Sequence, residues 1–263
     1  MSTQIKRAGD AARRLNVFAY GPAGSGKTRF SLTFPNPVLV DFEDGSLTAE
    51  TMGKGHTPML QPRTYEEVQR ILEAPDAVAS EIAAACDGYK VETWVFDSAT
   101  SLNMLLLGSP ESEWSKGYGL LNERRERPHG PLAPSIEDYK ILNLEMLKFF
   151  NLVRQMKYHT VITAHAKLDK TEDSPKGLNA PDSQVRYSGY PILTGDLKYG
   201  AANLADLTIY MEDANGKYSA HLRRYKQWNA RHRLGDGVDA RIDDPTFAKL
   251  WKIYEERRAN VTS

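Results

Sequence analysis

The sequence predicts an α/β fold, in which a mostly parallel sheet is flanked by helices and ends in an antiparallel hairpin at its C-terminal edge. Three observations support this class. Short apolar runs alternate with helical patterns along the chain, which is typical of a parallel sheet covered on both faces. Residues 21–28 match the phosphate-binding pattern G-x-x-x-x-G-K-[ST] directly after the first apolar run. An Asn-Gly pair at 215–216 separates two β-type runs, a strong hairpin signal.

The individual elements follow from periodicity and from turn residues. Buried strands are predicted at four short apolar runs, namely 15–20, 37–42, 91–96 and 160–164. Helices are predicted by spacing of apolar residues, from 26 to before Pro35 and at 65–73, 76–86 and 138–156. The hairpin strands are predicted at 207–212 and 217–224. A last helix is predicted over 245–259, with Asp243 or Asp244 as its N-cap and Pro245 in its first turn.

Composition argues against several classes of protein, including membrane-spanning, secreted and disulfide-bonded proteins. We expect one domain over residues 1–263, with a flexible polar segment at 1–14. The 34 basic and 34 acidic residues give a net charge of zero, which argues against a uniformly basic nucleic-acid coat but not against a local basic groove. No apolar run approaches the ~20 residues of a membrane helix, and we expect no signal peptide. The single cysteine, Cys86, excludes an internal disulfide. We therefore expect a cytoplasmic protein without a membrane partner.

The run 21–28 carries the strongest functional signal. Its glycines let successive backbone N–H groups point at phosphate oxygens, Lys27 is expected to reach the β- and γ-phosphates, and the Thr28 hydroxyl is expected to bind Mg²⁺. Every fixed position matches, with a strand before and a helix after, so the sequence predicts binding of ATP with Mg²⁺. The predicted nucleotide contacts are Gly21, Pro22, Ala23, Gly24, Ser25, Gly26, Lys27 and Thr28.

Hydrolysis also needs acidic residues near the phosphates. Asp97 follows a buried run at the carboxyl edge of the predicted sheet, where it can complete the Mg²⁺ shell together with Thr28. The alternative is that Asp97 only caps the next helix. Residue 98 is serine, so no second acid follows directly. Glu43 comes after the strand at 37–42 and is the candidate for activating water, although acidic neighbours flank it.

The segments GPAGSGKT, VLVDFEDG, VETWVFDS and HTVITAH, in this order and spacing, resemble the RecA-type recombinase core. The resemblance implies a RecA-like P-loop ATPase with Lys27, Glu43, Asp97 and His165 as catalytic residues. In it Glu43 is the catalytic glutamate and Asp97 the Walker B aspartate. His165 takes the place of the residue that senses the γ-phosphate, where RecA itself has glutamine.

Among RecA-like proteins, the chain most resembles the short phage ATPases of the Sak-four type, which anneal single strands. This implies a DNA-stimulated ATPase of phage recombination or annealing, working in the host cytoplasm. The implied partners are single-stranded DNA, further copies of the chain in a ring or filament, and a phage single-strand-binding protein or exonuclease. Two other functions stay open: a nucleotide or small-molecule kinase, which would leave Glu43 and His165 without a role, and an ATP-dependent loader or adaptor for replication proteins.

Two segments, 108–135 and 167–198, are too long for plain connections, and they stand where RecA-like proteins carry their DNA-binding loops. Neither is net basic, but arginines and aromatic rings suit single strands because bases stack on them. The predicted DNA contacts are Arg124, Arg125, Arg127, Arg186, Tyr187, Tyr190 and Lys198. A lid without a ligand is the alternative.

The run 221–233 is the one strongly basic stretch, with five Arg or Lys, two His and no acid. The resemblance implies that Arg231 and Arg233 act in trans on the γ-phosphate of a neighbouring subunit. Contact with a DNA backbone and a solvated hairpin strand are the alternatives.

Overall fold

The computed structural model describes residues 14–43, 46–107, 136–170 and 187–262. The described strands, in chain order, are β1 (Asn16–Gly21), β2 (Pro37–Asp41), β3 (Met59–Leu60), β4 (Thr93–Asp97), β5 (His159–Lys170), β6 (Tyr187–Pro191), β7 (Leu207–Ala214), β8 (Lys217–His221), β9 (Arg231–His232) and β10 (Arg241–Asp243). The described α-helices are α1 (Lys27–Ser31), α2 (Ser46–Thr51), α3 (Tyr65–Glu73), α4 (Pro75–Ala85), α5 (Ala99–Leu107), α6 (Ile136–Gln155), α7 (Leu197–Gly200) and α8 (Phe247–Thr262).

One sheet runs through the molecule in the order β10–β8–β7–β1–β5–β4–β2–β3, with β6 beside β5 and β9 beside β7. The six strands from β7 to β3 are parallel. β8 and β10 extend the sheet in antiparallel fashion. The predicted α/β class with an antiparallel C-terminal edge is therefore confirmed. Because β5 lies between β1 and β4, the P-loop strand and the strand that ends in Asp97 both adjoin β5.

Alternate residues of the central strands enter two separate cores. Phe18 and Tyr20 of β1 pack with α3, α4, α5 and α6 on one face, whereas Val17 and Ala19 pack with Phe30 and the last helix on the other. The same alternation holds in β2, β4 and β5. Burial of both faces explains why these strands are continuous apolar runs in the sequence.

The stretch 167–198 is predicted as one long irregular loop, but its described ends, 167–170 and 187–191, form two paired strands. β5 continues to Lys170 rather than ending at residue 164, and β6 returns antiparallel to it, with Lys167 opposite Tyr190 and Leu168 opposite Gly189. The returning strand is also tied to the site, because the N–H of Ile192 donates to the carbonyl of His165 at 2.8 Å. Residues 171–186, between the two strands, lie outside the described residues.

Two helix ends also differ from the prediction. α1 ends at Ser31, and the chain reaches Pro35 through tighter turns in which the N–H of Phe34 donates to the carbonyl of Ser31. The last helix begins at Phe247, two residues later than predicted, and runs to Thr262. Its cap is Thr246, whose hydroxyl accepts from the N–H of Lys249 at 3.4 Å. The carbonyls of Asp243 and Asp244 instead accept from Lys249 Nζ.

Two further predictions fall wholly or mostly outside the described residues: the flexible segment at 1–14, of which only Arg14 is described, and the loop at 108–135. Within the described ranges, no helix has the length and apolarity that crossing a bilayer requires.

Candidate functional site

The phosphate-binding loop joins β1 to α1 at the carboxyl edge of the sheet. Glycine is required at two of its positions for different reasons. A Cβ on Gly21 would collide with the carbonyl oxygen of Met211 on β7, because the strand backbones lie that close. Gly26 has a φ of +82°, and a Cβ there would lie 2.7 Å from a ring carbon of Tyr218. Both substitutions would displace the loop.

Lys27 is held inside this loop. Its side chain is buried, with the residue 7% exposed, and Nζ donates to the carbonyls of Gly21 at 3.1 Å and Pro22 at 2.8 Å. Burial lowers the pKa of Lys27, and the negative charges of Asp97 and Glu43 partly offset this effect. The ammonium group thus donates to two loop carbonyls, and the oxygens of a bound phosphate can replace these carbonyls as hydrogen-bond acceptors.

Asp97 lies at the end of β4 and joins the loop to β5. Its Oδ2 accepts from the Thr28 hydroxyl at 2.6 Å, and its Oδ1 accepts from the Thr163 hydroxyl. Burial raises the pKa of Asp97 above its usual range, against the opposite effect of these two hydrogen bonds. A carboxylate beside a hydroxyl is a donor set of hard oxygen ligands, which suits Mg²⁺ held mainly by phosphates and water. Thr28 and Asp97 therefore fit the predicted metal.

Glu43 is the centre of a second polar cluster. Its Oε1 accepts from the hydroxyls of Ser98 and Ser101, the latter at 2.6 Å, and lies 3.1 Å from Nε2 of His165. The backbone N–H of Glu43 donates to Oδ1 of the buried Asp41 at 2.9 Å, which fixes where the chain leaves β2. Burial alone raises the pKa of Glu43, but the hydrogen bonds from His165, Ser101 and Ser98 outweigh it and hold the pKa at about 2.

One cavity of about 430 Å³ connects these groups. The predicted residues that line it are Ala23, Gly24, Gly26, Lys27, Thr28, Glu43, Asp97 and His165. The four predicted catalytic side chains thus face one space, on the carboxyl edge where ligands of such sheets bind. A lysine, a hydroxyl–carboxylate pair and a second carboxylate around one cavity are the groups that phosphoryl transfer to water requires.

Sequence reasoning missed the roles of several residues that contact the predicted site, among them Thr163, Ser98, Ser101 and Tyr218. Thr163 stands two residues before His165 on β5, so the period of a strand places both on one face. Ser98 and Ser101 are three residues apart at the start of α5, which puts them on one side of a turn. These two spacings were available signals. Tyr218 had none, because only the pairing of β8 with β7 brings it to the loop.

The predicted DNA contacts have different positions. Arg124, Arg125, Arg127 and Arg186 lie outside the described residues, and of Tyr187 only the backbone is described, opposite Lys170. Tyr190 is 5% exposed, which corrects the expectation that its ring can stack on a base in this state. Lys198 lies over it, with Nζ 4.9 Å from the ring centres of both Tyr190 and Tyr199. Tyr199, on α7, is 53% exposed.

Arg231 and Arg233 stand at the opposite edge of the sheet from the cavity. β9 pairs with the first residues of β7, beside Val17 of β1 rather than Gly21. Arg231 donates to the side-chain oxygen of Asn203, and Arg233 forms an ion pair with Asp206 at 3.5 Å. Within one subunit both are therefore remote from the phosphates.

Comparison with known proteins identifies the family of this chain. No curated protein matches the chain. Among solved structures, a KaiC-like protein of Pyrococcus horikoshii is 16% identical over 88% of this chain and 89% of that one, with a TM-score of 0.34. The flagellar accessory protein FlaH of Methanocaldococcus jannaschii is 12% identical over 91% of this chain and 89% of its own, also with a TM-score of 0.34. The model of the AAA domain family AAA_24 matches residues 13–234, which is most of the chain. The matched range includes all residues that line the catalytic cavity, from the P-loop to Tyr218 on β8. The chain belongs to the AAA domain family AAA_24.

Proposed function

We propose that this protein is a Mg²⁺-dependent ATPase whose turnover is stimulated by single-stranded DNA, acting in phage recombination or annealing. The observation that carries the catalytic part is the position of Glu43, in hydrogen-bond contact with His165 and in the same cavity as Lys27 and Asp97. A P-loop alone supports nucleotide binding. A second carboxylate facing the same space supports activation of a water.

Each side chain has a defined task in this proposal. Lys27 exchanges its hydrogen bonds to the carbonyls of Gly21 and Pro22 for hydrogen bonds to the phosphates. Thr28 and Asp97 would hold Mg²⁺, which neutralises charge on the phosphate oxygens when bound. Glu43 accepts the proton of the attacking water. With a pKa of about 2 it is ionised at neutral pH but a weak base, so release from a serine would strengthen it.

The proposed link to DNA is the hairpin of β5 and β6. Thr163 contacts Asp97, His165 contacts Glu43, and the same strand continues outward to Lys170. The N–H of Ile192, directly after the returning strand, donates to the carbonyl of His165. A ligand bound at the outer end of this hairpin would therefore act on the same strand whose Thr163 and His165 contact the two acidic residues. This supports placing the DNA contacts around 171–186 and Lys198.

The same contacts favour hydrolysis over the kinase alternative. In a kinase, a carboxylate such as that of Glu43 would have to face the hydroxyl of a bound acceptor rather than a water. The side chains of Ser98, Ser101 and His165 hold Glu43 at the cavity that Lys27 and Asp97 also line, which supports a role of its carboxylate in activating a water beside the phosphates.

The test is the rate of phosphate release with and without an oligo-dT strand. We expect Mg²⁺-dependent ATP hydrolysis, a several-fold rise with the single strand, and little rise with a duplex of the same length. Lys27→Ala should lose nucleotide binding, and Glu43→Gln should keep it. Transfer of the γ-phosphate to a nucleoside or small-molecule acceptor, with no DNA effect, would support the kinase instead. Hydrolysis without any DNA effect would retain the ATPase and reject the DNA part.

A further inference from the structure

A second cavity, of about 380 Å³, adjoins the one that holds the catalytic residues. The two share four lining residues, namely Gly26, Arg29, Met52 and Tyr218. Phe30 and Met211, both buried, add apolar walls, and Asp244 and Thr246 add polar groups at the segment before α8. The second cavity thus begins where the phosphate-binding loop ends, and it has a different chemical character from the first.

Tyr218 forms the boundary between the two spaces. Its ring lies against Gly26, where the missing side chain leaves room for it. Its backbone carbonyl accepts from the N–H of Asp244 at 2.9 Å, so β8 is fastened to the segment that closes the far side. The guanidinium of Arg29 lies 5.8 Å from the centre of the ring. The ring of Tyr218 and the guanidinium of Arg29 therefore both line the second cavity, and nucleobases stack on both kinds of group.

We propose that this second cavity binds the base of the nucleoside triphosphate and that the base stacks on Tyr218. The inference rests on the proposed function, which puts the triphosphate beside Lys27 and Thr28. From there Gly26 leads directly into a space with apolar walls and a few polar groups, which is the usual lining of a site for a flat heteroaromatic ligand. The nucleotide would then contact residues that are far apart in the sequence, such as Gly26 and Tyr218.

The experiment compares ATP with inorganic tripolyphosphate, which lacks base and sugar, by calorimetric titration in the presence of Mg²⁺. Tyr218→Ala should weaken ATP binding by about tenfold, the size expected for loss of one stacked base, and leave tripolyphosphate binding unchanged. Tyr218→Phe should retain the affinity for ATP. Equal weakening for both ligands would overturn the proposal, because it would show that the ring only supports Gly26. Unchanged ATP binding would also overturn it.

Two further variants make the outcome unambiguous. Lys27→Ala should weaken the binding of both ligands. A wild-type protein that binds neither ATP nor tripolyphosphate would contradict the proposed function itself, whereas the Tyr218 variants test only this inference. Tyr139→Ala removes an exposed aromatic ring on α6 and should change neither affinity. If Tyr218→Ala does not fold, Tyr218→Trp gives a second readout. Its added fluorescence should change on ATP and not on tripolyphosphate, and an equal response to both would reject stacking.

Discussion

At the scale of single residues, Asp97 is surrounded by groups with opposite effects on its charge. Thr28 and Thr163 donate to it, yet burial has the larger effect and raises its pKa. A carboxyl whose folded-state pKa is raised favours folding at pH below its ordinary value of about 4, and that contribution is lost as the pH rises through the raised pKa. At pH 7 the buried carboxyl group of Asp97 therefore lowers the stability of the nucleotide-free fold relative to a neutral side chain of the same shape.

We accordingly expect Asp97→Asn to raise the unfolding temperature of the nucleotide-free protein at pH 7, by about 2–4 °C if the effect is on the order of 1 kcal/mol. The difference should shrink towards pH 4, because the wild-type carboxyl is then neutral as well. Differential scanning calorimetry at the two pH values measures it. The exposed Asp239→Asn is the matched control. A less stable Asp97→Asn protein at pH 7 would mean that the threonine hydrogen bonds outweigh burial.

Glu43→Gln should keep the affinity for ATP and lose at least about a hundredfold in turnover, because the amide has the shape of the carboxylate but cannot accept a proton. The measurement is single-turnover hydrolysis alongside equilibrium binding. Asp41→Asn is the matched control, since its Oδ1 can still accept from the N–H of Glu43. If Asp41→Asn stalls turnover and Glu43→Gln does not, the roles of the two acids are exchanged.

Sequence reasoning identified Lys27, Glu43, Asp97 and His165 but missed the hydroxyl groups of Ser98, Ser101 and Thr163 that contact them. Glu43, Asp97 and His165 directly follow the predicted apolar strands, Lys27 ends the glycine-rich motif after the first of them, and the carboxyl ends of parallel strands meet at one edge. Ser101 stands inside a helix, and its contact with Glu43 depends on how α5 leaves β4. Such a contact comes from packing between segments 58 residues apart, which no local pattern encodes.

At the scale of elements, the last helix is fastened to the sheet through His159. The imidazole accepts from the N–H of Leu15 at 3.0 Å, and its ring centre lies 5.1 Å from that of Phe247 and 5.4 Å from that of Trp251. Burial lowers the pKa of His159, partly offset by Glu92. The neutral ring therefore stabilises the fold fully above its ordinary pKa of about 6.5, and the contribution is lost as the pH falls below that value.

We therefore expect the free energy of unfolding to fall as the pH is lowered from 7 to 5, and to fall less steeply in His159→Gln. Glutamine can accept from Leu15 without taking up a proton. Urea titrations at pH 7, 6 and 5 give the slope, and His56→Gln, at an exposed position, should keep the wild-type slope. An identical slope in His159→Gln would assign the pH dependence to other groups.

Strands were predictable where the strand propensity of their residues agrees with their burial. They were not predictable where pairing with a neighbouring strand determines the structure. β1, β2 and β4 are buried on both faces and were found within two residues. The outer half of β5 carries Lys167 and Asp169 between apolar residues, and its partner β6 contains Gly189 and Pro191, which discourage a strand assignment from sequence. The ladder between them, rather than their own propensity, makes both segments strands.

At the scale of the whole molecule, a net charge of zero limits how strongly DNA binding can depend on salt. If each subunit neutralises two or three phosphates, log K should fall with log salt by a slope of about −1.4 to −2.1. Fluorescence anisotropy of a labelled oligo-dT strand, with an ATP analogue, measures this slope between 50 and 200 mM salt. Lys198→Ala should reduce the slope by about 0.7.

The control for this substitution is Lys90→Ala, which removes an 84%-exposed lysine side chain just before β4, at the amino edge of the sheet. It should leave the slope unchanged. Equal binding of duplex DNA without nucleotide would contradict the proposed coupling between the hairpin and the γ-phosphate.

Zero net charge also has a consequence for how copies of the chain meet. Near neutral pH no long-range repulsion holds molecules apart, so that other features must prevent the sheets from joining edge to edge. The described sheet ends in β3, of two residues, and β10, of three. Such short outer strands offer an incoming backbone only a few ladder positions, which is a common protection against aggregation through strand pairing. These two described margins therefore offer little backbone for pairing between copies of the chain, which favours assembly through side-chain surfaces.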